Sequence, residues 1–412
     1  MTKQTDKDCK LSISAVVAHK ICCGCGACAV ICPAACIDIV YGERFNFPRV
    51  DQDKCLNCAK CLKVCPSAFL LKGSDPGFAP ETGDGAPAND PVECFLAHSN
   101  DDRIRIDAAS GGFISGLILH LMGSGAADGA VVARCEGESP LIAESFIAMD
   151  RASVLSARGS KYAPVSNCTA LRQVLEKPGR YIFIGTPCMN EGLTKLQQFL
   201  PELKGRIVLN IGFVCAGMAS RLSTKEYIEK EGGVDMNGVR RIAYRGNGWP
   251  GRFKVFGAND ALLMDRPLIG GSLVHVVGRD HYLRCENCLD HWARFADIVV
   301  SDPWSREMMK NESVGWSAVM VRTDRGKEAV ASGISGGDLI AERITADDML
   351  AFNAHLVIDS GHPRHSWMAI YQLVFFRRMK YLLSLMKYVL KRRKIVGLRT
   401  TVRTLLDKKY YH

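Results

Sequence analysis

Two uninterrupted cysteine runs carry the strongest chemical signal in this 412-residue chain. Cys22, Cys25, Cys28 and Cys32 lead into Pro33, and Cys55, Cys58, Cys61 and Cys65 lead into Pro66, so that each run reads C-x-x-C-x-x-C-x-x-x-C-P. Three cysteines two residues apart wrap a tight loop around one cubane, and the fourth, set after a short helical turn, reaches the neighbouring cluster. That rule assigns one [4Fe–4S] cluster to Cys22, Cys25, Cys28 and Cys65, and a second to Cys55, Cys58, Cys61 and Cys32. Tetrahedral zinc uses two separated C-x-x-C pairs instead. Cys23 and Cys36 have no place in the pattern and read as small buried thiols. A two-cluster ferredoxin is a wire, so the remainder of the chain must supply the chemistry.

Four further cysteines stand in suggestive settings: Cys188 in IGTPC, Cys215 in GFVC, and Cys285 with Cys288 in LRCENC. The first two directly follow apolar strand-like runs, where an α/β sheet places its functional loops. The spacing leaves two readings open. Four thiolates gathered there suit a third [4Fe–4S] cluster; alternatively Cys188 and Cys215 are packed core thiols and the pair binds zinc with two other ligands. Ser110, Gly111 and Gly112 open a helix, where bare N–H groups favour a phosphate, but on these residues alone a plain tight turn is the better reading.

The elements that must position these residues follow from composition and pattern. With 47% hydrophobic and 23% charged residues the chain belongs to the ordinary globular class. Its net charge of +10 is concentrated in the last 48 residues, where twelve Lys and Arg face one acid, Asp407. The near-neutral body gives no support for nucleic-acid binding. The first fifteen residues lack the apolar core of a secretory signal, so reduced thiols in a cytoplasm are expected. The longest uncharged run, Ala108 to Ala127, is broken by five glycines and reads as a short helix rather than a membrane span.

Four segments are expected: a duplicated two-cluster ferredoxin domain over 14–70, a Pro- and Gly-rich flexible linker over 71–93, an α/β domain over 94–361, and a basic tail over 362–412. In the third segment, strand-like runs at Gly129–Ala133, Tyr181–Ile184, Ile207–Ile211 and Ile298–Val300 alternate with helical ones at Phe113–Met122, Cys168–Glu176 and Glu191–Leu200. Residues 330–361 read as a smaller helical and turn region. Trp367 to Lys394 has the spacing of an amphipathic basic helix, which suits peripheral contact with an anionic membrane or an acidic partner.

Six blocks run in one order: ASGGFISGLILHLMGSGAADGAVVA, ARGSKYAPVS, IGTPCMNEGL, NIGFVCAGMAS, YRGNGWPG and LRCENCLDHWARFADIVVSDPW. Over residues 94–306 the chain resembles the family of coenzyme F420 hydrogenase/dehydrogenase beta subunits, preceded by the ferredoxin module common there. The resemblance implies an α+β iron–sulfur domain followed by an α/β flavin-binding domain that exchanges a deazaflavin hydride for single electrons. It implies FAD as a cofactor, held by Ser110, Gly111, Gly112, by Gly159, Ser160, Lys161, Tyr162, and by Gly185, Thr186, Pro187. It also places Cys188, Cys215, Cys285 and Cys288 at a third cluster, between the flavin and a ferredoxin module that otherwise hangs on its linker. A redox partner protein or a small-molecule hydride carrier is the expected partner. Other relatives, including proteins of bacterial polysaccharide loci, keep the core and change the substrate, so the alternative is a polysaccharide-locus reductase or a non-catalytic electron-transfer subunit serving a partner enzyme. Asp297 and Asp302 fall in the last block and read equally well as structural caps.

Overall fold

A computed structural model describes residues 12–71, 93–135, 139–269, 280–285, 288 and 290–353. The basic tail, and the expected linker apart from its end residues Leu71 and Glu93, lie outside the described residues.

The cysteine-rich segment begins with a helix at Ile13–Ala18, capped by the Ser12 side chain, and a second at Ala27–Ile31. An antiparallel pair follows, β1 (Ile37–Tyr41) with β2 (Asn46–Val50), and then a short helix at Lys60–Lys63. The duplication is visible in the backbone. Gly24 and Gly26 in the first half, and Asn57 and Ala59 in the second, occupy equivalent places between the cysteines, and all four have positive φ, between 51° and 88°. Left-handed residues at these two places bend each loop back on itself, so that successive cysteines can face one centre.

The body holds β3 (Glu93–Ser99), β4 (Gly129–Arg134), β5 (Glu144–Ala148), β6 (Tyr181–Gly185), β7 (Ile207–Phe213), β8 (Arg241–Ala243), β9 (Arg252–Phe256), β10 (Leu262–Pro267), β11 (Ile298–Ser301), β12 (Ser317–Val321) and β13 (Leu339–Ile344). Among the described residues eight of these form one sheet in the order β13-β3-β12-β11-β7-β6-β4-β5. Its centre, β11-β7-β6-β4, is parallel, and the flanking strands are antiparallel. The four strand runs expected from the sequence fall at this parallel centre, where both faces are covered and strands read as continuous apolar stretches. Two features differ from expectation. Residues 339–344 form an edge strand rather than part of a helical and turn region, and β8, β9 and β10 make a separate antiparallel sheet. Their alternating, half-buried sequences resemble loop composition more than core.

The period-2 alternation of β6 divides the interior. Ile182 and Ile184 face helices Phe113–Gly123 and Asp324–Ser335, in a core with Leu117, Leu209, Ile211 and Val330. Tyr181 and Phe183 face the other way, into a core that holds Val131, Leu193 and Leu196 of the body together with Ile13, Val16, Ile31 and Phe45 of the cysteine-rich segment. That segment is therefore packed onto the sheet rather than hanging from a linker.

Buried polar contacts fix the docking. The Tyr282 hydroxyl accepts from Asn46 N (2.8 Å) and donates to Asn46 O (2.9 Å), and it occupies the space a side chain at Gly24 would need. Ser166 Oγ donates to Gly24 O (2.6 Å), and Arg172 donates to Ala29 O (2.6 Å). Tyr282→Phe leaves two buried backbone groups of Asn46 without their partner and is expected to destabilise the protein by about 1–3 kcal/mol, measured as a lowered denaturant midpoint with unchanged slope.

Candidate functional site

The crossing that the spacing implies is seen for Cys32 and Cys65, whereas Cys25, expected with Cys22, Cys28 and Cys65, lies beside Cys23 and Cys168. Cys32 of the first run joins Cys55, Cys58 and Cys61 of the second around one hollow of about 380 Å³, with Pro33 and Cys36 also in its wall. Cys65 of the second run lies with Cys22 and Cys28 of the first: burial, followed by the neighbouring Cys22, Cys65 and Cys61 thiols, pushes Cys28 well above the usual thiol range. Cys25 is buried and touches Cys23 and Cys168. Cys58 is exposed, which puts one edge of the first-named hollow at the surface. The donor sets are soft thiolates suited to iron–sulfur chemistry. Cys36 is buried as expected, but its Sγ lies 3.3 Å from Cys32 Sγ, against the hollow and not in a remote core.

Three loops of the body converge on a second hollow, of about 630 Å³. Cys188 enters from the first turn of helix Pro187–Phe199, Cys215 from the loop after β7, and Cys285 and Cys288 from the segment before β11. Thr186, Pro187, Glu191, Arg284, Asp290 and His291 share the wall. Met218 N donates to Cys285 Sγ (3.4 Å), and Thr186 Oγ1 lies 3.3 Å from Cys188 Sγ. Such contacts orient sulfurs around a site and set its redox properties. Burial pushes the Cys288 thiol up to about 12. Among the described residues no three Cys, His, Asp or Glu side chains are placed to hold a single metal ion. The cysteines ring hollows instead, an arrangement that matches a cubane, whose thiolates bind four separate irons.

Cys23, set aside by the motif, also lines this hollow. Its hydrogen bond to Cys188, first, and its contact with Cys25 hold the Cys23 thiol well below its ordinary range; the same bond pushes Cys188 up. Buried charges flank the site. Glu191 and Lys195 pair at 2.6 Å, Lys195 Nζ donates to Cys65 O (3.4 Å), and Arg284 Nε donates to Ser67 Oγ (3.1 Å). Burial raises the Glu191 carboxyl against the opposing pull of Lys195.

The glycine turns fall into two places. Gly112, at φ 70°, precedes helix Phe113–Gly123 with no side chain capping its first turn. Ser110 Oγ lies 2.9 Å from Ser317 Oγ, and a Cβ on Gly111 would stand 2.5 Å from Ala97 O and 2.8 Å from Ser317 N. Close backbone packing therefore accounts for Gly111. Gly111→Ala is expected to cost about 1–3 kcal/mol of stability, read as a lower midpoint in thermal or denaturant unfolding. Lys161 donates to the carbonyls of Ala157, Arg158 (3.1 Å) and Gly159 (3.0 Å), closing off helix Arg151–Ser156. Gly159 and Tyr162 lie beside Arg245, whose buried guanidinium binds both carboxylate oxygens of Asp302 (2.8 and 3.1 Å), the Tyr162 hydroxyl (3.3 Å) and Ala109 O. Burial works against the Arg245 charge, but Asp302 and Tyr162 outweigh it. Trp249 Nε1 donates to Asp302 Oδ1 (2.7 Å), and Trp249 packs on Trp304. Thr186 and Pro187 instead border the body hollow, while Gly185 before them is packed against Phe183 and Met189. Asp297 is a structural cap: it accepts from Asn210 N, Thr323 Oγ1 and Arg325.

Sequence reasoning missed Cys23, Arg284 and Arg245. Cys23 and Arg284 each adjoin an expected ligand, and Arg245 sits inside the YRGNGWPG block, so adjacency was the available signal.

Residues 94–172 match the family model for the N-terminal part of the coenzyme F420 hydrogenase/dehydrogenase beta subunit, and residues 179–347 match that for its C-terminus. The chain belongs to this family of beta subunits. Residues 21–69 match a 4Fe–4S dicluster domain, so this beta-subunit relative carries an iron–sulfur module ahead of the family core. It is 24% identical to the coenzyme F420 hydrogenase subunit beta of Methanosarcina barkeri, over 60% of this chain and 80% of that protein. It is 25% identical to one subunit of the F(420)H(2) dehydrogenase of Methanosarcina mazei, over 77% and 83%. A coenzyme F420-dependent sulfite reductase of Methanocaldococcus jannaschii matches at 24% over 77% of this chain and 46% of its own length. A chain of the F420-reducing [NiFe] hydrogenase complex from Methanosarcina barkeri shares the fold, with a TM-score of 0.52 at 23% identity, over 66% of this chain and 90% of that one. The family is one of oxidoreductases. No described helix is long and apolar enough to cross a membrane.

Proposed function

We propose that this protein is an iron–sulfur flavoprotein oxidoreductase that couples a two-electron hydride carrier, coenzyme F420 or a related compound, to one-electron transfer through [4Fe–4S] clusters. The supporting observation is the unbroken succession of thiols: the hollow at Cys32, Cys55, Cys58 and Cys61, the group at Cys22, Cys28 and Cys65, and the body hollow at Cys188, Cys215, Cys285 and Cys288, all on or against one docked face of the sheet. In this reading the body hollow holds a third cluster, and the exposed edge at Cys58 is where electrons enter or leave.

FAD supplies the step between hydride and single electrons. Its phosphates would be held at the uncapped helix start after Gly112, and Arg245, which donates to Ala109 O and Tyr162 and pairs with Asp302, would hold the neighbouring loops in place. Arg245 and Asp302 neutralise each other, so their task is to fix these loops rather than to supply net charge. Glu191 and Arg284, buried in the wall of the body hollow, set the charge around its sulfurs.

Several relatives are subunits by name, which favours a second reading in which this chain passes electrons for a protein partner. Anaerobic purification of the full chain followed by iron and flavin analysis decides between them: FAD at about one per chain supports the first reading, and clusters without flavin support the second.

A further inference from the structure

Glu191, Arg284 and Asp290 bring charge to the wall of the body hollow. Glu191 pairs with Lys195 of its own helix (2.6 Å), and the Asp290 carboxylate accepts from the backbone N–H groups of Trp292 (3.0 Å) and Arg294 (3.1 Å). Arg284 reaches the other way, into the dicluster domain. Its Nε donates to Ser67 Oγ (3.1 Å), and its guanidinium carbon lies 5.3 Å from the centre of the Phe69 ring. Ser67 N in turn donates to Cys65 Sγ (3.4 Å), the sulfur expected to cross to the first cluster. Ser67 has no exposed surface and Arg284 only 6%. One side chain therefore stands in the wall of the body hollow and also holds the residue that hydrogen-bonds an expected ligand sulfur of the neighbouring site.

We infer that Arg284 is a positioning residue that couples the body cluster to the first cluster: its charge stands at the one, and its grip on Ser67 holds the N–H that donates to the Cys65 sulfur of the other. The inference rests on reading the body hollow as a cluster site. A guanidinium stays charged at any working pH and a backbone N–H can only donate, so the polarity of this connection is fixed. An electron added to either cluster is an added negative charge. A nearby guanidinium stabilises it, and so does an N–H aimed at a cluster sulfur; both raise the reduction potential. Because one residue serves both sites, their potentials are biased together. The hollow at Cys32, Cys55, Cys58 and Cys61 has neither Arg284 nor Ser67 in its wall and stands outside this coupling.

The test is a redox titration of the full-length protein, purified anaerobically and followed by electron paramagnetic resonance, with iron counted in the same samples. Wild-type protein is expected to hold about twelve irons per chain, four per cubane. The body-cluster signal is the one lost when Cys285 and Cys288 are both replaced by serine. Arg284→Gln should keep the iron count and shift the potentials of the body and first clusters to more negative values, leaving the cluster at Cys55, Cys58, Cys61 and Cys32 unmoved. Arg284→Lys, which keeps the charge, should recover most of the body-cluster shift. Ser67→Ala, which removes the hydroxyl and leaves the charge, should move the first cluster alone. Unchanged potentials in a folded Arg284→Gln protein would overturn the inference, and so would a shift confined to the body cluster, because the charge then acts on one site only. If Arg284→Gln fails to hold its iron, Ser67→Ala decides: a first cluster shifted to a more negative potential supports the coupling, and an unmoved one overturns it. A wild-type count of about eight irons overturns the body-cluster reading itself, before any variant is made.

Discussion

Replacing Cys285 and Cys288 together by serine is expected to remove about four of roughly twelve irons per chain and to leave the two N-terminal clusters visible by electron paramagnetic resonance. The reason is geometric. Cys285 and Cys288 line the body hollow, whereas the hollow at Cys32, Cys55, Cys58 and Cys61 lies wholly within the cysteine-rich segment. Hard hydroxyl ligands bind iron–sulfur clusters poorly compared with thiolates, so both corners on that side are lost at once. Zinc in the wild-type protein, or an unchanged iron count in the variant, returns the pair to a structural role.

The second large effect is expected from Asp302→Asn. Arg245 has no solvent-exposed side-chain surface, and Asp302 meets it with both oxygens while also accepting from Trp249. An amide of the same shape keeps part of the hydrogen bonding and none of the charge. The guanidinium is then buried without a counter-ion, a loss of about 3–5 kcal/mol when one partner of a buried pair is removed. Denaturant unfolding should show it directly. Removing both charges in an Arg245→Met, Asp302→Asn double variant should cost less than the sum of the single changes, because the stranded charge is gone.

The iron–sulfur module was legible because its chemistry imposes a spacing on the chain: two residues between thiolates, three before the crossing cysteine. The parallel strands β4, β6, β7 and β11 were legible because burial on both faces demands unbroken apolar runs. What the sequence hid was held by long-range contacts. Nothing local to Leu339–Ile344 reveals that it pairs with β3. Nothing in Gly24 reveals that Tyr282, far along the chain, fills the space beside it. The docking of the dicluster domain depends on such contacts, and Cys23 could not be placed in the body hollow until that docking was seen. Gly112 illustrates the converse. Its sequence setting points to a cofactor phosphate, but its positive φ and the closeness of Ile104 O (3.0 Å to a built Cβ) mean that any side chain strains the turn itself.

The central claim, that hydride electrons enter this chain and leave singly through its clusters, is tested most directly by mixing the anaerobic, oxidised full-length protein with reduced coenzyme F420. Oxidation of the deazaflavin with matching loss of cluster absorbance, and the appearance of reduced-cluster electron paramagnetic resonance signals, is the expected result. Deazaflavin that stays reduced beside clusters that dithionite readily reduces would contradict it.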